Sequence, residues 1–381
     1  MRQSHRGEVD PFIVMDVMEA ARKAEATGRH IIHMEVGQPS TGAPATALAA
    51  LVEAMDTPLG YTVGLGLPDL RASIARHYAE WYGVDLDPGR VVITSGASGA
   101  FLLAFSALFD NDERVGLGTP CYPSYRQILK AVGLQPVDIP TTLAQRFQLR
   151  PEGVAAHDLA GLIVASPANP TGTMLDEAAL RALAQACATQ NAALISDEIY
   201  HGIDYETSPV TALQVTDDVY VVNSFSKYFS MTGWRVGWMV VPETHVRRVE
   251  RLAQNMFICA PHAAQVLALH AMDCTEELLA NKAVYAANRA LMIDGLKAAG
   301  FDRFAPPDGA FYVYVDVSEY TDDAVAFAAE ILDVAGVAVT PGVDFDAARG
   351  QHWLRFSYAR STDDIREGLD RLACFMQERR A

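Results

Sequence analysis

A chain of 381 residues, half of them hydrophobic and a fifth charged, has the balance of a globular protein with at least one large core, which argues against a long disordered segment. Its formal net charge of −17 argues against non-specific attraction to nucleic acid or anionic membrane, which relies on clustered lysine and arginine. An anionic ligand stays possible, because fields are screened over about 8 Å at physiological salt and a local arginine with serines still binds a phosphate.

Apolar positions at helical spacing predict a helix over 12–26, ended by Gly28, and then a short strand, I-I-H-M-E-V, running into a G-Q-P turn at Gly37. Helices are expected over 45–55 and 70–82, the second after the glycine-rich loop G-Y-T-V-G-L-G and with Pro68 near its start. From Arg90 onward short β-branched runs alternate with amphipathic stretches. Strands are predicted over 91–94, 114–117, 135–139, 162–165, 193–196, 219–223 and 236–241, most of them separated by helices such as 97–109 and 176–190. That alternation implies an α/β fold, a large domain with a mainly parallel, mixed seven-stranded sheet covered by helices. The last two strands lie close together, which makes one of them a candidate to run antiparallel. A long helical region over 263–299 leads to a smaller α+β domain with strands over 310–317, 337–340 and 353–358 and helices over 322–335 and 363–379. The expected division is 46–284 for the large domain, with 1–45 and 285–381 forming the smaller one and completing a cleft.

The five cysteines, Cys121, Cys187, Cys259, Cys274 and Cys374, form no C-x-x-C pair and no cysteine/histidine cluster, so no metal site is read and a reducing compartment is expected. The first residues lead into no apolar signal core, and no run approaches the length that spans a bilayer, so the expectation is a cytoplasmic protein without a membrane partner.

Chemistry concentrates in four places. The run N-S-F-S-K-Y-F-S-M-T-G-W-R-V-G-W, 223–238, sets Lys227 among apolar residues with Ser224, Ser226 and Arg235 beside it. Desolvation by the flanking phenylalanine and tyrosine would favour a free amine able to attack a carbonyl, while the serines and arginine make an anion site. Pyridoxal 5′-phosphate carries both an aldehyde and a phosphate. I-T-S-G-A-S-G-A, 93–100, ends a strand in small residues before a helix, a corner suited to a phosphate and also compatible with an ordinary tight turn. A-S-P-A-N-P-T-G, 165–172, fixes Asn169 in a proline-bounded loop. L-I-S-D-E-I-Y-H, 194–201, ends a buried strand in Asp197, a carboxylate that needs a cationic partner such as a protonated pyridine nitrogen; His201 is read as structural.

In these ordered motifs, together with W-L-R-F-S-Y-A at 353–359, the chain resembles the class I and II aminotransferases, the aspartate aminotransferase-like group of fold-type I pyridoxal-phosphate enzymes, over nearly its whole length. The resemblance implies that Lys227 holds the cofactor covalently and that Asp197 pairs with its ring nitrogen. Asn169 and Tyr200 would contact the ring oxygen, and Tyr122, in T-P-C-Y-P-S-Y, would stack on the ring. Phosphate contacts would come from Ala97, Ser98, Ser224, Ser226 and Arg235. Tyr61 matches a tyrosine that reaches the neighbouring subunit's phosphate, which implies a homodimer. Arg355 would clamp the substrate carboxylate with Gly37 nearby, and alternation puts Arg355 on the opposite strand face from Leu354 and Phe356.

The implied activity is transfer of an amino group between an L-amino acid and a 2-oxo acid in two half-reactions, with Lys227 as the general base at Cα. A lyase or decarboxylase of the same fold shares every cofactor residue and stays open as an alternative. A non-catalytic amino-acid sensor is a third reading, disfavoured because the residues before Phe12 are expected to leave no room for a DNA-binding segment. Beyond the clamp no other cation is assignable to a distal carboxylate, which weakens an aspartate assignment without excluding it, since an arginine of a partner subunit could serve. Phe12, Tyr61, Phe311 and Tyr312 are candidates for an apolar pocket or for core.

Overall fold

A computed structural model describes residues 1–380. The strands are β1 (Ile32–His33), β2 (Val91–Thr94), β3 (Arg114–Thr119), β4 (Gln135–Pro140), β5 (Gly161–Ala165), β6 (Ala193–Asp197), β7 (Tyr220–Ser224), β8 (Gly237–Val240), β9 (Tyr312–Asp316), β10 (Val337–Ala338), β11 (Thr340–Pro341) and β12 (Trp353–Ser357). The helices are α1 (Ile13–Glu25), α2 (Ala45–Ala54), α3 (Pro68–Tyr82), α4 (Gly96–Leu108), α5 (Pro123–Ala131), α6 (Pro151–Ala155), α7 (Glu177–Gln190), α8 (Glu243–Met256), α9 (His262–Ala271), α10 (Thr275–Ala299), α11 (Ala324–Glu330) and α12 (Thr362–Arg380).

Strands β2 to β8 form one seven-stranded sheet in the order β2-β8-β7-β6-β5-β3-β4. Every pairing in it is parallel except those of β8, which runs antiparallel to both β2 and β7. The sheet is therefore mixed and mainly parallel, as the alternating pattern implies. Its central strands are buried on both faces, and that is why they read as continuous apolar runs. Successive side chains enter two separate cores: Ile93, Leu194, Val221 and Trp238 lie in one, and Val92, Ile195, Val222 and Met239 in the other.

Two smaller sheets stand apart. β1 and β10 pair in parallel, while β9, β12 and β11 form an antiparallel three-stranded sheet. Here local pattern and structure differ. The run 337–340, predicted as one strand, is divided between the two small sheets: Val337 pairs with Ile32, and Thr340 with Arg355. The predicted strand 310–317 begins only at Tyr312, after Ala310 takes a φ of +55°. The helical region 263–299 breaks into α9 and α10, although Cys274 makes no capping bond at the break; Asp273 instead meets Arg76 of α3 at 3.4 Å. Helices α5, α6 and α8 were not singled out from the sequence. No helix among the described residues is long and apolar enough to cross a membrane.

Candidate active site

Because β2, β3, β5, β6 and β7 are parallel, their C-terminal ends share one edge of the sheet, where ligands of open α/β sheets bind. A cleft of about 240 Å³ opens at that edge. Lys227, Ala97, Ser98, Tyr122, Asn169, Asp197, Tyr200, Ser226, Arg235, Gly37 and Arg355 all line it. Two predicted residues do not. Ser224 is buried behind Ser226, its hydroxyl 2.9 Å from Ser226 Oγ and 3.1 Å from the Val236 carbonyl. Tyr61 is 82% exposed, on the loop before α3.

Lys227 donates from Nζ to the Gly37 carbonyl at 2.6 Å. Gly37 has to be glycine at this point, since a Cβ there would fall 1.6 Å from the Tyr312 hydroxyl. Burial lowers the lysine pKa to about 8, with Arg355 and Arg235 adding to the effect and Asp197 opposing it. The crowding does not come from the sequence neighbours. Phe225 and Tyr228 pack against Trp238 and Trp81, and the rings nearest the amine are those of Tyr200 and Phe311, at 5.7 and 5.9 Å.

Asp197, the last residue of β6, is 4% exposed. One oxygen accepts from the Ile199 N–H at 3.0 Å, and the other accepts a short hydrogen bond from the Tyr125 hydroxyl. Burial pushes its pKa up to about 6, against the pull of Tyr125, Ile199 and Lys227. Sequence reasoning passed over Tyr125, although it sits three residues after Tyr122 in the same motif; the two rings meet edge-on at 5.4 Å. The next residue, Glu198, is fixed by the Ala212 N–H and the hydroxyls of Ser196 and Thr211, while burial raises its pKa to about 7. His201 donates from Nε2 to the Ser166 carbonyl at 2.9 Å and accepts from Tyr82 at Nδ1, and burial lowers its pKa to about 3. It is neutral and structural.

Arg235 leaves its 3-10 turn at a φ of +54° and makes one hydrogen bond, to the Thr232 carbonyl at 2.9 Å. A Cβ on Gly96 would come within 2.6 Å of its Nη2, so glycine lets the guanidinium lie against the first turn of α4. Ala97 and Ser98 occupy that turn, whose N–H groups have no intrahelical partner.

Arg355 lies on β12, with Leu354 and Phe356 turned into the core. It is 3% exposed, stacked between Tyr312 and Phe345 at 4.5 and 4.7 Å from their centroids. Nη1 donates to Asn169 Oδ1 at 2.9 Å; Nη2 donates to the Glu35 carbonyl and to Thr340 Oγ1; buried Nε has no partner. Glu35, Thr340 and Phe345 carried no signal, because their roles arise only from long-range pairing. Tyr200 and Tyr312 share a hydroxyl bond at 2.8 Å, and Phe12 meets Tyr122 edge-on at 6.0 Å. Thus Phe12 and Tyr312 line the cleft, whereas Phe311 is core and Tyr61 is outside.

Among the described residues, Lys227, Asp197, Arg235 and Arg355 have no ion-pair partner, although all four face one cleft. Such charges are costly to gather unless ligands of opposite sign complete them. The site therefore has room for a cation at Asp197, an anion at Arg235 and a carboxylate at Arg355.

The family described as aminotransferase class I and II matches residues 29–372. A valine–pyruvate aminotransferase of Mycobacterium tuberculosis is 46% identical, with 98% of each chain covered. Among solved structures, a Silicibacter pomeroyi protein with a provisional aminotransferase assignment superposes with a TM-score of 0.96 at 68% identity, over 99% of this chain and 100% of that one. The aspartate aminotransferase of Thermus thermophilus with maleate gives a TM-score of 0.92 at 30% identity, over 98% of this chain and 100% of that one.

Proposed function

The chain belongs to the class I and II aminotransferases, enzymes that move amino groups between amino and keto acids, and from that premise we propose a pyridoxal 5′-phosphate site with named residue roles. The observation that carries it is the set of unpaired charges in one cleft. Asp197 suits a protonated ring nitrogen, Arg235 with Ala97, Ser98 and Ser226 suits the phosphate, and Lys227 suits the aldehyde. Tyr122 would cover the ring face, with Asn169 and Tyr200 at the ring oxygen; Ser224 supports Ser226 from behind. When bound, the cofactor supplies an electrophilic carbonyl carbon and an electron-withdrawing ring.

Arg355 orients the substrate: its planar fork, held rigid by two aromatic rings, receives the α-carboxylate beside the Gly37 backbone. With the carboxylate fixed, the Cα–H bond would be the one turned toward Lys227 and would break in preference to the bond to the carboxylate. Lys227, neutral over much of its population near pH 8, would take the proton from Cα of the donor amino acid and, in the second half-reaction, deliver a proton to Cα of the new amino acid. The cleft's three cationic side chains thereby all have tasks, which leaves none for a distal carboxylate and supports an uncharged substrate side chain. The name of the Mycobacterium tuberculosis relative makes valine and pyruvate the first pair to try.

We read the chain as a homodimer. Val52, Met55, Tyr61 and Val63 are exposed apolar residues close together in sequence, and burial by a second copy would carry Tyr61 to the partner's phosphate site. Residues 46–284 would form the cofactor domain, with 1–45 and 285–381 as the domain that completes the cleft. Five free cysteines support a reducing, cytoplasmic location.

The test is product analysis with cofactor-loaded protein, L-valine and pyruvate. Equimolar 2-oxoisovalerate and L-alanine are expected, and Lys227→Ala should lower turnover by about 10⁴-fold. Ammonia or carbon dioxide in place of alanine would move the assignment to a lyase or a decarboxylase.

A further inference from the structure

The turn after β11 holds three parts of the cleft at once. Asp344, 7% exposed, accepts from the Ile13 N–H through Oδ1 and from the Val14 N–H through Oδ2, each at 3.2 Å. These are orphan donors of the first turn of α1, which has no capping side chain of its own, since its N-cap position is Phe12. A carboxylate there also meets the positive end of the helix dipole. The adjacent Phe345 stacks on Arg355, and its carbonyl accepts from the Cys121 N–H at 3.1 Å, at the base of the Tyr122 loop. On the other side of Phe12, Asp10 is tied to α5 by Gln127 and Lys130. Phe12, between these two attachments, lines the cleft, as do Val14 and Met15 of the first turn of α1 and Ile128 of α5.

We propose that Asp344 is a positioning residue for side-chain selectivity: by fixing the first turn of α1 it holds Phe12, Val14 and Met15 as an apolar wall in register with Arg355. The substrate carboxylate and the wall that reads its side chain are set from one turn. An amino acid with a branched apolar side chain fills the space against that wall, and alanine does not. This inference rests on the aminotransferase reading above.

Steady-state kinetics of the cofactor-loaded protein with L-valine and L-alanine as donors test it. Asp344→Asn keeps the shape but places an amide N–H₂ against a backbone N–H. It should raise KM for L-valine about tenfold and for L-alanine about twofold, with kcat within about twofold for both, so the valine-to-alanine ratio of kcat/KM falls about fivefold. Phe12→Ala should lower the same ratio, and the double variant should fall no further, because both changes undo one wall. Equal losses for both amino acids, or an unchanged ratio, would overturn the proposal. Should Asp344→Asn fail to fold, Phe12→Ala and Met15→Ala decide it, and an unchanged ratio in both overturns it. A wild-type protein that transfers from no amino acid overturns the functional reading instead, and this one with it.

Discussion

The two arginines of the cleft carry the same charge and face the same space, yet they are held in opposite ways. Arg235 is exposed, sits in a left-handed turn conformation and makes a single bond to a carbonyl. Arg355 is buried in mid-strand, stacked on both faces and bonded to a side chain from a distant loop. The difference is one of preorganisation. An exposed guanidinium is hydrated, screened and free to adjust to a phosphate, whereas a desolvated and immobilised one imposes geometry on whatever carboxylate reaches it.

The largest effect should therefore come from the buried end. Arg355→Lys keeps the charge but loses the planar fork, and KM for the amino acid should rise on the order of 100-fold with a smaller change in kcat. A rise below about fivefold would break the contrast. Next comes Tyr125→Phe, which removes the hydroxyl donor from buried Asp197. Without that donor the Asp197 pKa climbs above about 6, so less of it is ionised at pH 7 and a cationic ring nitrogen loses its partner. Cofactor affinity should weaken about tenfold, with the acid limb of its pH profile moved upward, as read by fluorescence titration. Arg235→Lys should cost only about fivefold in cofactor affinity, and added salt should weaken the wild-type interaction at this end more than it raises KM for substrate. The smallest change needs no mutation. As pH rises from 7 to 9 the neutral fraction of Lys227 grows through its pKa of about 8, so the rate of pyridoxal phosphate capture by apoprotein should climb and then level off. A flat rate over that range would mean that burial does not set the amine's protonation.

These contrasts follow how the chain records its own fold. The sheet is legible because central strands buried on both faces must be apolar runs, and because tight turns at their ends demand glycine, proline and small residues. Lys227, Asp197, Asn169 and Arg235 all lie on or beside such ends, so local sequence marks them. Tyr125 had a local signal too, its place in the motif that holds Tyr122. Glu35, Thr340 and Asp344 had none: their contacts to Arg355, Ile13 and Val14 cross between about 15 and 330 residues of sequence. The small sheets show the same limit, since Val337 and Thr340 look like one strand locally but pair with different partners.

What the amino-acid sequence determined by itself is the alternation of strands and helices, the single antiparallel candidate near Lys227, and the residue types at the strand ends. Periodicity and turn chemistry are local, and they survive without knowledge of what packs where. Only the tertiary structure decided which aromatics surround the Lys227 amine, which groups immobilise Arg355, and that one turn holds both Arg355 and the first turn of α1. Those outcomes depend on burial and on pairing between distant segments, and desolvation is a property of the assembled surroundings that no short window of sequence contains.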